Sequence, residues 1–196
     1  MSNAMLSLLG MYSWNDTLFD DMSFPESFTQ EAKEVFVNNL LMECAELEVL
    51  YTDWNFEEIT AQNIPEIIEF TKGFTFNSSE KDEDANKELE LCCEVLENYD
   101  AFGMFGGALR VNGKIAGYSI GEIIGDTLFC HIEKADISYH GAYQMVTNQY
   151  LQMYAQGDDV KFVNREDDCG DEGLRKSKLS YHPVVLLEKI EFKVNL

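Results

Sequence analysis

The dipeptide Asn112-Gly113 stands between two apolar runs, residues 108–111 and Lys114–Ile124. A two-residue connection needs positive φ at both central positions, which glycine adopts freely and asparagine tolerates, so these runs are joined as a tight antiparallel hairpin. Gly125-Asp126 makes the next turn, and residues 127–134 supply a third antiparallel strand. A three-stranded meander therefore occupies the middle of the chain, and the remaining elements must cover its faces.

Those elements are mostly helical by period. Phe28, Ala32, Val35, Phe36, Leu40 and Leu47 recur at three- and four-residue steps, which predicts an amphipathic helix over 27–48. Residues 12–26 mix aromatics with acids and read as an irregular arm. A short strand at 56–60 precedes Asn63, which is placed to cap a helix ending at Lys72-Gly73. Residues 77–84 have loop composition. A second helix runs to about Asn98, with Leu89, Cys92, Cys93, Leu96 and Tyr99 on one face. After the meander a helix opens near Gly141 and presents Tyr143, Val146, Tyr150 and Tyr154. A buried-type strand follows at 160–164, then a short helix at 173–180 and a closing strand at 184–194. The division is an N-terminal arm with its helix at 1–54 and one α/β (α+β) domain at 55–196, a mixed, mostly antiparallel sheet flanked by helices.

Charge and cysteines exclude several classes. The net charge of −22 is concentrated at one end: residues 1–100 hold 4 basic and 23 acidic side chains, and residues 101–196 hold 10 and 13. Such a field repels phosphate backbones and anionic headgroups, so general nucleic-acid binding is not expected. No apolar run approaches the ~18 residues needed to cross a bilayer, and residues 5–11 lack a basic leader, so the expected location is the cytoplasm. Ser2-Asn3-Ala4 before Met5 has the look of a cloning scar preceding a natural start. The five cysteines include no C-x-x-C pair, which argues against a disulfide framework and a zinc site. No metal is expected. The three histidines are far apart in sequence and no serine sits in a nucleophile elbow, so a hydrolase triad has no support.

The richest segment is residues 162–183, where Asn164-Arg165-Glu166-Asp167-Asp168 ends a strand and Gly173-Leu174-Arg175-Lys176-Ser177-Lys178 opens a basic helix before Ser180-Tyr181-His182-Pro183. Its order of residues, with Ile132-Glu133-Lys134-Ala135-Asp136 and Gly141-Ala142-Tyr143-Gln144 upstream, resembles the C-terminal domain of phosphatidylglycerol lysyltransferase-like proteins, a branch of the GNAT acyltransferase superfamily. The resemblance covers roughly residues 55–192 and agrees with the order of elements. It implies a GNAT-like fold in which the strand at 127–134 splays from the one at 160–164, with an acyl donor in the gap. Acyl-CoA and aminoacyl-tRNA are the donors it implies.

Candidate residues follow from this placement. Glu133 is expected as a general base or amine-binding carboxylate and Lys134, on the opposite face of the strand, as an anion contact at the mouth of the next helix, the other reading being a strand-edge pair of solvated charges. Arg165 offers a planar fork to a carboxylate or phosphate, and Glu166 or Asp168 could receive a proton from an attacking amine or hydroxyl. The other reading of these residues is structural, with Asp168 or Asp171 capping the next helix and Arg165 bridging to an acid. Gly141, Asn164, Arg175, Lys176 and Lys178 complete the donor-binding set, Gly141 because a helix N-terminus favours an anion. Tyr181 is either a general acid for the leaving group or a packing corner. Ser138 and Tyr143 stand where an acetyl-CoA signature has Gln or Arg and Gly or Ala, and Tyr143 would crowd a pyrophosphate.

Two functions remain. One is an acyl- or aminoacyltransferase acting on an amine or hydroxyl acceptor; the other is a non-catalytic binding or assembly module on the same fold. Related proteins carry two GNAT-like halves, whereas only about fifty residues precede the first matching strand here. That predicts either a shortened member or a homodimer that restores the missing half.

Overall fold

The computed structural model describes residue 51 and residues 53–74, 83–156, 159–181, 183 and 185–187. The expected arm at 12–26 and helix at 27–48 lie outside the described residues, as does most of the loop at 77–84. Five strands form one sheet in sequential order: β1 (Trp54–Glu58), β2 (Phe105–Val111), β3 (Lys114–Ile124), β4 (Thr127–Ala135) and β5 (Phe162–Asn164). Neighbours are antiparallel from β1 to β4, and β4 and β5 are parallel. The helices are α1 (Ile64–Lys72), α2 (Glu83–Glu97), the single turn α3 (Tyr99–Phe102), α4 (Ala142–Tyr154) and α5 (Glu172–Ser180).

Alternation along β2 divides the core into two layers. Ala108 joins Tyr118 and Ile120 under Ile67 of α1 and Leu96 of α2. Leu109 and Val111 pack on the other face against Met145 and Val146 of α4. Burying such side chains on both faces is what holds helices to a sheet, at roughly 1.5–3 kcal/mol for each large one. The hairpin turn takes the expected form, with φ 50° at Asn112 and 74° at Gly113. Asn63 differs from its expected role. Its side chain caps no helix amide but accepts from Thr60 N–H at 2.8 Å and donates to Glu58 O at 2.8 Å, closing the β1–α1 turn instead.

Two strand expectations change. β5 has three residues, and Phe162 at its start is exposed, because a strand with one described neighbour is an edge and not a buried element. Residues 185–187 are exposed and carry no strand. An extended apolar segment becomes a strand only where a neighbour takes its backbone hydrogen bonds. The rest of the expected strand at 184–194 lies outside the described residues.

One irregularity governs the site. Ile120 pairs with Ile132 but Gly121 pairs with Cys130, so His131 is an extra residue in β4. The bulge reverses the alternation. Leu128 and Cys130 face α4 before it, Ile132 faces α1 and α2 after it, and Glu133 is thereby turned to the α4 side. Gly121 makes this close approach possible, since a Cβ there would overlap the Phe129 carbonyl and the Tyr150 hydroxyl.

Candidate active site

β4 and β5 pair through Thr127 with Phe162, Leu128 with Val163 and Phe129 with Asn164. Beyond Phe129 the described residues show no further pairing between them, and the strands part. Glu133 and Arg165 face each other across this gap, with Arg165 Nη2 2.6 Å from Glu133 Oε1. Thr147 on α4 donates from Oγ1 to Glu133 Oε2 at 3.1 Å. The guanidinium also lies over the Tyr181 ring, 4.4 Å from its centroid, which is a cation–π distance.

These contacts set the electrostatics. Burial alone would pull the Arg165 guanidinium down, but Glu133 beside it outweighs burial and the group titrates above its usual value, so it stays charged. Its Nη1 is buried and has no hydrogen-bond partner among the described residues, as is the case for Ser119 Oγ, which is opposite Glu133 in register. A buried donor left unpaired is costly, so Nη1 is a ready contact for an oxygen-bearing ligand. Lys178 donates to the carbonyls of Arg165 and Asp167 at 2.5 Å each, which ties α5 to the segment after β5. Burial and the nearby Arg165 lower its pKa.

Residues 47–190 match the model of a family described as phosphatidylglycerol lysyltransferase, C-terminal. The chain belongs to this family. It is similar to a conserved protein of unknown function from Bacteroides thetaiotaomicron, with 33% identity and a TM-score of 0.68 over 77% of this chain and 51% of that one. An uncharacterised protein of Mycoplasmoides gallisepticum is 29% identical over 87 residues, 44% of this chain and 28% of that protein. The chain thus spans about half of the first relative and less of the second. A possible acetyltransferase from Clostridium difficile superposes with a TM-score of 0.55 at 12% identity, covering 73% of this chain and 99% of its own. That likeness shows the GNAT fold.

The other residues singled out in this family member fall into four places. Asn164, Glu166, Asp168 and Arg175 organise the loop after β5. Asn164 Oδ1 accepts from Glu166 N–H at 2.8 Å, and Asp168 takes Arg175 in a two-point contact, Nε to Oδ2 at 2.6 Å and Nη2 to Oδ1 at 3.0 Å. Asp171 caps α5 through Leu174 N–H at 2.6 Å. Lys134 points away from the gap, pairs with Glu88 of α2 and sits over the Phe74 ring. Lys176 is exposed on α5.

At the start of α4, Gly141 has φ 81° and is the residue before the first helical turn. Tyr143 in that turn is half-buried against the core cluster that includes Ala135 of β4, and has its hydroxyl pKa raised by burial. The Asp136 side chain already takes the Ser138 N–H at 2.8 Å. Cys169 is exposed and its thiol is raised by the Asp167 carboxylate it bonds, while burial pushes Cys130 up to about 12. Among the described residues no group of three or more His, Cys, Asp and Glu side chains is placed to hold a metal ion, and no helix is long and apolar enough to cross a membrane.

Sequence reasoning missed Thr147 and the pair Glu122 and His131. Thr147 lies one turn beyond Tyr143 on α4, and spacing alone gives a threonine there no role. His131 has no partner close to it in sequence, because Glu122 and Glu166 are 9 and 35 residues distant.

Proposed function

We propose that this chain is an acyl- or aminoacyltransferase domain in which an acceptor amine or hydroxyl attacks a donor ester or thioester lying along β4 between residues 130 and 135. The observation that carries this reading is the gap itself, a stretch of β4 that among the described residues has no partner on its β5 side, with Glu133 and Arg165 facing across it and Arg165 Nη1 without a hydrogen-bond partner. Arg165 Nη1 stabilises the oxyanion or holds a donor phosphate, and Glu133, oriented by Thr147, receives the acceptor's proton. Lys176 on the exposed side of α5 supports a phosphate contact. Tyr143, seated against Ala135, favours an aminoacyl ester over acetyl-CoA as donor.

A second reading has its own observation. Glu133 and Arg165 already pair with one another, and Tyr143 already packs on the core beside Ala135, which suits a binding or assembly module that retained the fold. Thermal melting with aminoacyl-tRNA, acetyl-CoA and longer acyl-CoAs separates the two. A donor that binds only the folded state raises the melting point by about 2.7 kcal/mol of stabilisation at a hundredfold excess over Kd. A rise with one donor, with transfer abolished in a folded Arg165→Ala protein, supports the enzyme. No rise with any donor supports the module.

A further inference from the structure

The face of the sheet opposite α4 carries a second cluster at the same gap. His131, the extra residue of the β4 bulge, stands between two carboxylates: Nε2 is 3.0 Å from Glu122 Oε1 on β3, and Nδ1 is 3.0 Å from Glu166 Oε1 just beyond β5. Its ring is stacked on Phe129, with centroids 5.9 Å apart at 20°. Glu166 has φ 58°, a backbone state that a glutamate holds only when its surroundings impose it. The next residue toward β5 is Arg165, whose guanidinium meets Glu133 on the other side of the gap.

The chemistry of the ring limits how this cluster can hold. A neutral imidazole has one donor and one acceptor nitrogen, so it satisfies one carboxylate and turns a lone pair to the other; imidazolium donates to both. The charged groups facing the ring are Glu122 from β3 and Glu166 from the segment after β5. Phe129 is the neighbour on β4, and Lys178 of α5 is directed to the Arg165 and Asp167 carbonyls.

We propose that His131 is a positioning residue: as imidazolium it ties Glu166 to Glu122, and so fixes the backbone that sets Arg165 against Glu133. Its consequence for catalysis rests on the transferase reading above, whereas the tie itself does not. Loss of one proton breaks one of the two contacts, so the order of the segment after β5 falls as pH rises.

Amide hydrogen exchange of the full chain, without donor or acceptor, tests this between about pH 5 and 8 after correction for intrinsic rates. Protection of the Glu166, Cys169 and Gly170 amides is expected to fall about tenfold across that range in the wild type, the scale of one charge-assisted hydrogen bond at a half-exposed site. It stays flat in His131→Gln and in Glu122→Gln. Equal protection at both ends in the wild type, or a wild-type profile in either variant, overturns the proposal. Ring-nitrogen NMR of the wild type is the second measurement, needed if a variant fails to fold. Amide protection must fall in step with loss of the second ring proton, and a fall at a different pH overturns the assignment. Neither readout needs a substrate, so failure here leaves the transferase reading standing, and absence of transfer leaves the tie standing.

Discussion

Arg165 and Glu133, 32 residues apart in sequence, meet at 2.6 Å across the gap where β4 and β5 separate. Both side chains are largely covered, at 19% and 14% exposure. The pair is therefore a covered charge pair in the middle of the candidate site, and its two members depend on each other.

Removing one partner strands the other's charge. Arg165→Met or Glu133→Leu alone is expected to cost about 3 kcal/mol, while the double substitution costs much less than the sum, because no uncompensated charge remains. Urea denaturation of the three proteins checks this, and strictly additive losses would count against a coupled pair.

Tyr143 packs on the core cluster that includes Ala135, at the end of β4. Tyr143→Ala should open that end, so acetyl-CoA stabilises the variant against heat more than it stabilises the wild type. An unchanged response would mean that Tyr143 does not obstruct the donor.

Gly121 has no room for a side chain opposite the bulge. Gly121→Ala must push apart the Phe129 carbonyl and the Tyr150 hydroxyl, at a cost of about 3 kcal/mol in unfolding free energy. The denaturation midpoint measures the loss, and a neutral result would show that the bulge relaxes.

Asp168 titrates below the ordinary carboxylate range, chiefly through its hydrogen bonds from Arg175 and then from Gly170 N–H. A carboxyl depressed in the folded state adds stability that is complete above the unfolded value of about 3.9 and fades as pH falls through the lower folded value. Acid titration should loosen the loop at 164–171 as Asp168 is protonated. In Asp168→Asn the acid-dependent part of Gly170 amide exchange should be smaller, and an identical acid profile in the two proteins would contradict this role.

Much of the architecture is local and was legible. Asn112-Gly113 dictates its hairpin because few residues tolerate positive φ in succession, and the two are found there at 50° and 74°. The start of α4 after Gly141 and the cap of α5 by Asp171 follow from backbone and side-chain preferences of single residues. β5 was overestimated because an apolar run states a preference for burial but not the number of neighbours available to bury it.

The candidate site was legible only in its ingredients. Glu133, Arg165 and Tyr181 were visible as chemically able side chains, but the same pattern allowed Lys134 a place at the helix mouth, and it pairs instead with Glu88 of α2. Thr147, Glu122 and His131 gave no signal, since their roles come from contacts with residues 14, 9 and 35 positions away.

By itself, the sequence determined the order of elements, the central meander, the acidity of the N-terminal half and the chemical contents of residues 162–183. Tertiary structure decided which face those contents occupy. Alternation along a strand is a local rule, and counted without interruption from Leu128 it sends Glu133 to the side of α1 and α2. The extra residue His131, admitted where Gly121 lets Phe129 and Tyr150 close in, reverses that count and turns Glu133 toward Thr147 and Arg165. A bulge is set by the packing of three elements against one another, so no window of sequence contains it.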